Sequence, residues 1–203
     1  NIVSDAPDFL VDLGDTFMTE KHQVQLEATV HAATSQAMVN LRYQSDLPYF
    51  GIITHSVPLF LVNGNHDAEL GWLATSNTID HSLPTWAFNA RQSYFPNPIK
   101  NSFYDGETVS VLSTAPRASY YSWKWGDALF ITIDPYWHSP NAVDTGLYSC
   151  TTGSVLCTPG KDTEVVWNKT MGDAQYLWLK GMLERNTAAG PNRKKYVFLF
   201  SHH

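Results

Sequence analysis

The chain has 203 residues, of which 43% are hydrophobic and 16% charged, so it is long enough to bury a core as one globular domain. Its formal net charge of -6 argues against general binding to a nucleic-acid backbone, which requires a clustered positive surface. It contains no run of about 18 apolar residues, so no membrane span is expected.

The first predicted elements alternate between strand and helix. Apolar residues at 9–13 predict a short buried strand. Residues 23–44 carry apolar side chains at helical spacing, and Pro48 is expected to end that region. A second apolar strand is predicted at 57–62. The stretch 68–118 has little periodicity and is predicted to be an insertion or a lid with short helices at most.

The second half of the chain continues the alternation. Residues 120–133 predict a β-hairpin that turns at a Gly-Asp pair. Residues 173–184 predict a short amphipathic helix with Asp173 as its N-cap, and 196–200 form another wholly apolar strand. Strands that are apolar throughout and alternate with helices indicate an α/β layered fold, with sheets covered on both faces.

The two cysteines, Cys150 and Cys157, are separated by a segment with the composition of a surface loop. A short-loop disulfide fits this pattern in an oxidising compartment, and it favours a secreted or extracytoplasmic location. Two free thiols are the alternative. A zinc site is less well supported, because the spacing is not that of a zinc knuckle and no second pair follows.

Polar side chains with ligand chemistry follow three of the apolar strands. Asp15 comes after the first strand, Asn65 and His66 after the second, and His202 after the last. In open α/β sheets, ligands bind beyond the carboxyl ends of the strands, so we expect these side chains to meet. Carboxylate, amide and imidazole together suit a hydrolytic metal site. Asp134 also ends a strand, but a capping or loop role is favoured for it.

The blocks that carry these residues resemble those of a known family. Gly14-Asp15, the run GNHD at 64–67 and the strand-terminal His202 are similar to the central three blocks of the calcineurin-like metallophosphoesterases, which include purple acid phosphatases and many phosphodiesterases. The resemblance covers nearly the whole chain except the loop at 138–165. It implies a layered sandwich of mixed β-sheets flanked by helices, in one domain spanning 1–203.

The resemblance also implies a role for each site residue. Asp15 would bridge two metal ions, and Asn65 and His202 would bind the second of them. His66 would lie beside the scissile phosphorus as the proton donor, with Asp67 as its orienting partner. The implied cofactors are two divalent or trivalent ions, with Mn, Fe or Zn favoured, and the implied partner is a phosphate-ester substrate that is hydrolysed by a hydroxide activated by the two metals.

The chain departs from the family pattern at both ends. It has no Asp-any-His block before Asp15 and no Gly-His-any-His block after His202. We expect it to be the central part of an intact enzyme, incomplete in its metal ligands and inactive alone; a variant that has lost its first metal is the alternative explanation. The rival function is a non-catalytic module that binds a ligand through a degraded metal site.

Overall fold

A computed structural model of the chain describes residues 2–21, 33–67, 82–108, 116–135 and 171–202. The bounds of the helices and strands, in chain order, are α1 Ile2–Asp5, β1 Leu10–Asp12, α2 Gln36–Thr54, β2 Leu59–Leu61, α3 Ser82–Tyr94, β3 Asp105–Gly106, β4 Tyr121–Trp125, β5 Ala128–Thr132, α4 Gly172–Thr187 and β6 Tyr196–Phe200. A 3-10 turn at Thr19–Lys21 follows β1.

Five of the six described strands lie where the apolar runs predict them, whereas β3 lies in the stretch 68–118 that was predicted to be an insertion or a lid. β1 and β2 occupy the centres of the first two predicted strands, and β6 matches the last one in full. β4 and β5 form the predicted antiparallel hairpin, with Trp125 paired to Ala128. Gly126 takes a φ of 54° in the turn between them, a left-handed conformation that glycine adopts without strain.

The prediction for the first long helix was wrong at both ends, because residues 33–35 are not helical and α2 begins at Gln36 after Ser35 as its N-cap. α2 continues through Pro48, which lies inside the helix, and ends at Thr54. Proline in a helix removes one backbone hydrogen bond and costs about 3 kcal/mol, so packing must stabilise the last turns. Phe50 provides that packing, because its ring lies 5.3 Å from the ring of Phe95 in the core. Residues 22–32 lie outside the described residues.

Two further helices differ in detail from the prediction. α3 is a 13-residue helix inside the stretch predicted as an insertion, and its Ala87 and Ala90 are fully buried. α4 begins at Gly172, so Met171 occupies the N-cap position and makes no capping bond with its side chain. The prediction of Asp173 as the N-cap was therefore wrong. Both cysteines lie outside the described residues.

The strands form two sheets. β1 and β2 pair in parallel. The second sheet is mixed and has the strand order β3-β4-β5-β6, with antiparallel pairing at the first two junctions and parallel pairing between β5 and β6. The carboxyl ends of β1 and β2 consequently open at one edge of their sheet, as those of β5 and β6 do in the other.

The two sheets pack face to face with helices outside them. Phe60 of β2 stacks on Trp123 of β4 with ring centroids 4.0 Å apart, which joins the sheets through an aromatic layer. Leu61 faces the other way, into a core shared with α2 and α3. On the far side of the second sheet, Ile131 packs with Met182 of α4. The fold is therefore mixed α/β with two sheets, one of them mixed, and the fold-class prediction is confirmed to that extent.

None of the helices within the described ranges has the length and apolar character that crossing a membrane requires.

Candidate metal centre

Two glycines bring the Gly-Asp and Gly-Asn-His-Asp loops into backbone contact at the ends of β1 and β2. Gly14 has a φ of +93°, and a Cβ placed on it would lie 2.6 Å from the Gly64 nitrogen. A Cβ on Gly64 would lie 2.2 Å from both the nitrogen and the Oδ1 of Asp15. Side chains at either position would clash with backbone, so the close approach of the loops requires glycine at both.

Asp67 holds these two loops together. Its Oδ2 accepts hydrogen bonds from the backbone nitrogens of Gly64 at 2.8 Å and Asp15 at 3.0 Å. Its Oδ1 accepts from the nitrogens of Phe17 at 2.9 Å and Met18 at 3.3 Å. Burial raises the pKa of Asp67, and the four backbone donors oppose that shift because they stabilise the ionised carboxylate.

The resemblance implied a different partner for Asp67, namely the ring of His66. Among the described contacts, both carboxylate oxygens of Asp67 are instead taken up by backbone N–H groups. Asp67 therefore binds the backbone of the two loops in the described contacts.

Asp15 lies at the meeting point of the two sheets. Its backbone has a φ of 58°, a left-handed conformation that asparagine and aspartate tolerate better than most residues and that is common at functional sites. Its Oδ1 accepts a hydrogen bond from the backbone nitrogen of His66 at 2.9 Å. Its Oδ2 lies 3.4 Å from Nε2 of His202. Two of the predicted ligands, from β1 and β6, are thus side by side.

The second ring nitrogen of His202 determines what Nε2 can do. Nδ1 lies 2.8 Å from the carbonyl oxygen of Leu13, which can only accept a hydrogen bond, so Nδ1 carries a proton. In the neutral ring Nε2 is then an acceptor, and it faces a carboxylate oxygen of Asp15 that is also an acceptor. A second proton on the ring or a cation between the two atoms is needed to make this arrangement favourable.

The spacing of the pair fits a shared cation. Two donors that bind one metal ion at about 2.0 to 2.2 Å are separated by about 3 to 3.5 Å, and the Asp15–His202 distance of 3.4 Å falls in that range. A metal-binding histidine commonly donates its other N–H to a backbone carbonyl, which is the bond that His202 makes to Leu13. The side chains are only 12% and 25% exposed, so water competes weakly for them.

Asn65 and His66 lie on the neighbouring loop and contact one another. Nδ2 of Asn65 is 3.3 Å from Nε2 of His66. The Nζ of Lys21 is 2.8 Å from the same ring nitrogen. Because an ammonium group only donates hydrogen bonds, Nε2 of His66 is the acceptor in this contact. Contacts from Asn65 to Asp15 or His202 are not among those described.

Two basic residues, Lys21 and Arg42, also contact the site residues or the loop that follows Asp15. Lys21 reaches His66 from the 3-10 turn after β1. Arg42 of α2 donates to the carbonyls of Phe17 at 2.7 Å and Thr16 at 3.0 Å, which supports the loop that follows Asp15. No motif marks either residue; their contribution depends on how the turn and α2 pack against the loop.

Asp134 has the structural role that was expected of it. Its side chain is buried, lies 3.0 Å from Nη2 of Arg117 and accepts a bond from Nδ2 of Asn63 at 3.4 Å. Gln175 of α4 bonds to its backbone nitrogen and carbonyl. Asp134 therefore connects the end of β5 with the end of β2 and with α4.

Within the described ranges, no group of three or more histidine, cysteine, aspartate or glutamate side chains has the arrangement of a metal site. Asp15 and His202 form a pair, and the third predicted ligand, Asn65, is an amide.

Comparison of the chain with protein-family models, with curated proteins and with solved structures finds no match.

Proposed function

We propose that the chain is part of a calcineurin-like metallophosphoesterase and that the intact protein hydrolyses phosphoric esters with bound metal ions. The observation that carries this proposal is the pairing of Asp15 and His202, two acceptors 3.4 Å apart, with the other nitrogen of His202 bonded to Leu13. The layers follow the order helices, sheet, sheet, helix. This order supports the assignment of the fold to the metallophosphoesterase type.

Asp15, His202 and Asn65 are the residues that would hold metal. When bound, divalent or trivalent cations supply Lewis acidity: they lower the pKa of water and offset the negative charge of a phosphate group. A carboxylate, an imidazole and an amide suit Mn, Fe or Zn better than a closed structural site, for which thiolates are preferred.

His66 is the proton carrier in this proposal. In the described state its Nε2 accepts from Lys21, 2.8 Å away. A substrate phosphate would attract the ammonium of Lys21 to its own oxygens, after which Nε2 can take up a proton from solvent water and pass it to the leaving oxygen. Proton transfer of this kind typically contributes about 10²- to 10⁴-fold in rate. Asp67 holds the loop that carries His66 through its bonds to the backbone nitrogens of Gly64 and Asp15.

The proposal is tested on the full-length protein by metal analysis and by hydrolysis of chromogenic phosphate monoesters and diesters. We expect Asn65→Ala to lose metal, and we expect His66→Ala to keep metal while its rate falls by about 10²- to 10⁴-fold. His55→Ala is the matched control, since His55 is exposed at the end of α2 and bonds to Gly51 of its own helix.

Two results would overturn parts of this proposal. Full activity in His66→Ala would remove His66 as the proton donor. Metal binding without hydrolysis of either class of ester would support the non-catalytic binding module instead.

A further inference from the structure

A cleft lies at the opposite end of the mixed sheet from the metal ligands. A cleft of about 350 Å³ opens between the loop at 100–105, the edge of β4 and the last turns of α4. Lys124 at its floor pairs with Leu129 near the start of β5, whereas His202 follows the far end of β6. The cleft is thus separated from the metal ligands by the width and the length of the sheet.

The floor of the cleft contains a buried hydroxyl without a partner. Ser122 lines the cleft, its side chain is 1% exposed, and its Oγ makes no hydrogen bond within the described part of the chain. Ser122 pairs with Ile131, which packs against α4, so both lie on the sheet face where the cleft opens. A buried polar group of this kind lowers stability unless something bonds to it.

The cleft also carries an excess of positive charge in a chain whose net charge is -6. Lys100, Lys124 and Arg185 line it together with a single carboxylate, Asp105. Asp105 lies 3.3 Å from Nζ of Lys100 and 3.6 Å from Nη2 of Arg185, so it holds these two cations at one wall. Among the described residues, Lys124 has no ion-pair partner.

The wall formed by the loop is held in shape before any ligand arrives. Oδ1 of Asn101 accepts hydrogen bonds from the backbone nitrogens of Phe103 at 2.7 Å and Tyr104 at 2.8 Å. Phe103 is 54% exposed, and it meets Tyr104 edge to face at 4.8 Å. The loop therefore presents an apolar aromatic surface beside the cations.

The carboxyl end of α4 borders the cleft and would repel an anion if its carbonyls were free. They are not free. The Met182 carbonyl accepts from Nδ2 of Asn186 at 2.7 Å, that of Leu183 from Thr187 at 2.8 Å, and that of Asn186 from the Lys194 nitrogen at 2.7 Å. These bonds weaken the negative end of the helix, so the three cations dominate the charge of the cleft.

We propose that this cleft binds a small molecule bearing a phosphate group, with the phosphate between Lys124 and the hydroxyl of Ser122 and the organic part against Phe103. Several donors arriving from different directions suit a tetrahedral oxyanion better than a planar carboxylate. A cleft of about 350 Å³ is also within the usual range for small-molecule sites, which begins at about 300 Å³.

The test is equilibrium dialysis of the 203-residue chain against labelled inorganic phosphate, after chelation has removed any metal. We expect saturable binding of one equivalent, which Lys124→Met weakens by about tenfold or more because it removes a charge-assisted contact. Lys180→Met is the matched control, because it also removes one positive charge. Lys180 lies on α4, does not line the cleft and pairs with Glu184 at 3.9 Å. The control variant should bind phosphate as the parent does.

Ser122→Ala separates a ligand-binding hydroxyl from a structural one. We expect it to keep or raise the melting temperature, since it removes an unpaired buried polar group, and to weaken phosphate binding by about fivefold or more. Three results would overturn the proposal: no saturable binding by the parent chain, unchanged binding in Ser122→Ala and Lys124→Met, or equally tight binding of succinate. If Lys21→Met binds phosphate as tightly as the parent chain, the phosphate is confirmed to lie away from the metal centre.

Discussion

The Asp15 carboxylate and the His202 imidazole lie 3.4 Å apart, although they come from opposite parts of the chain. They meet because β1 and β6 belong to two sheets that pack face to face, so that the ends of the two strands converge. The Leu13 carbonyl, one residue before Gly14, also fixes the orientation of the His202 ring. The same loop therefore supplies one proposed ligand and aligns the other.

Removing either member of this pair is expected to weaken metal binding. Asp15→Asn keeps the shape of the side chain but removes its charge, and His202→Ala removes the imidazole. We expect each to lower the affinity for Mn²⁺ by about tenfold or more, as measured by calorimetric titration of the purified chain. His55→Ala should leave the affinity unchanged. Parental affinity in both site variants would contradict the assignment of the ligands.

A side chain at Gly64 is expected to separate the two loops. The added Cβ of Gly64→Ala would meet the backbone nitrogen of Asp15 at 2.2 Å, so the backbone must move. We expect the free energy of unfolding to fall by at least about 2 kcal/mol in urea denaturation. Gly51→Ala is the control, because its Cβ meets nothing within 4 Å and alanine favours the helix by about 0.5 to 1 kcal/mol. Equal stability in the two variants would contradict the close packing of the loops.

Asp67→Asn tests whether the carboxylate holds the loops. An amide presents one acceptor oxygen, and its NH₂ group would face two of the four backbone donors that the carboxylate satisfies. We expect the free energy of unfolding to fall by about 2 to 4 kcal/mol. Asp127→Asn, at an exposed position in the β4–β5 turn, should change it far less. A stable Asp67→Asn variant would show that the backbone holds the loops without the carboxylate.

Lys21 is expected to assist substrate binding more than folding. Its contact with His66 is exposed, and exposed charge interactions contribute at most about 1 kcal/mol. In the full-length protein we expect Lys21→Met to raise KM for a phosphate ester by about two- to fivefold, with an unchanged melting temperature. Lys21→Arg should restore much of the affinity, because it keeps the charge. A fall in the melting temperature without a change in KM would assign Lys21 to folding.

The turn between β4 and β5 carries a pH-dependent contact. A hydrogen bond from Lys195, followed by the charge of the same residue, holds the pKa of Asp127 below its ordinary value. The native state therefore binds fewer protons than the unfolded state near that pKa. The stability from this pair is present above the ordinary pKa of aspartate and is lost as the pH falls through the lowered value. Asp127→Asn should reduce the pH dependence of unfolding only in that acidic range, and added salt should reduce it too.

Much of the architecture follows from the order of residues along the chain. The apolar runs before Asp15, Asn65 and His202 predict the positions of β1, β2 and β6. The expected cover on both faces of the sheets was wrong for β6, an edge strand whose residues Tyr196 to Leu199 are exposed among the described residues. The position of Pro48 led to a wrong end for α2, because local propensity was overridden when Phe50 packed against Phe95. Helix bounds depend on tertiary contacts that a local pattern does not contain.

The sequence by itself determined which side chains stand at the strand ends, since alternation of strands and helices orders them before any contact forms. Only the tertiary structure decided their chemistry: the protonated nitrogen of His202 depends on Leu13, the acceptor nitrogen of His66 on Lys21, and the burial of Asp67 on four backbone donors. All of these bonds except the one from Gly64 to Asp67 join residues far apart in the chain. Hydrogen bonds are effective only over about 3 Å, so sheet packing and close contact between two glycine loops had to bring the partners together.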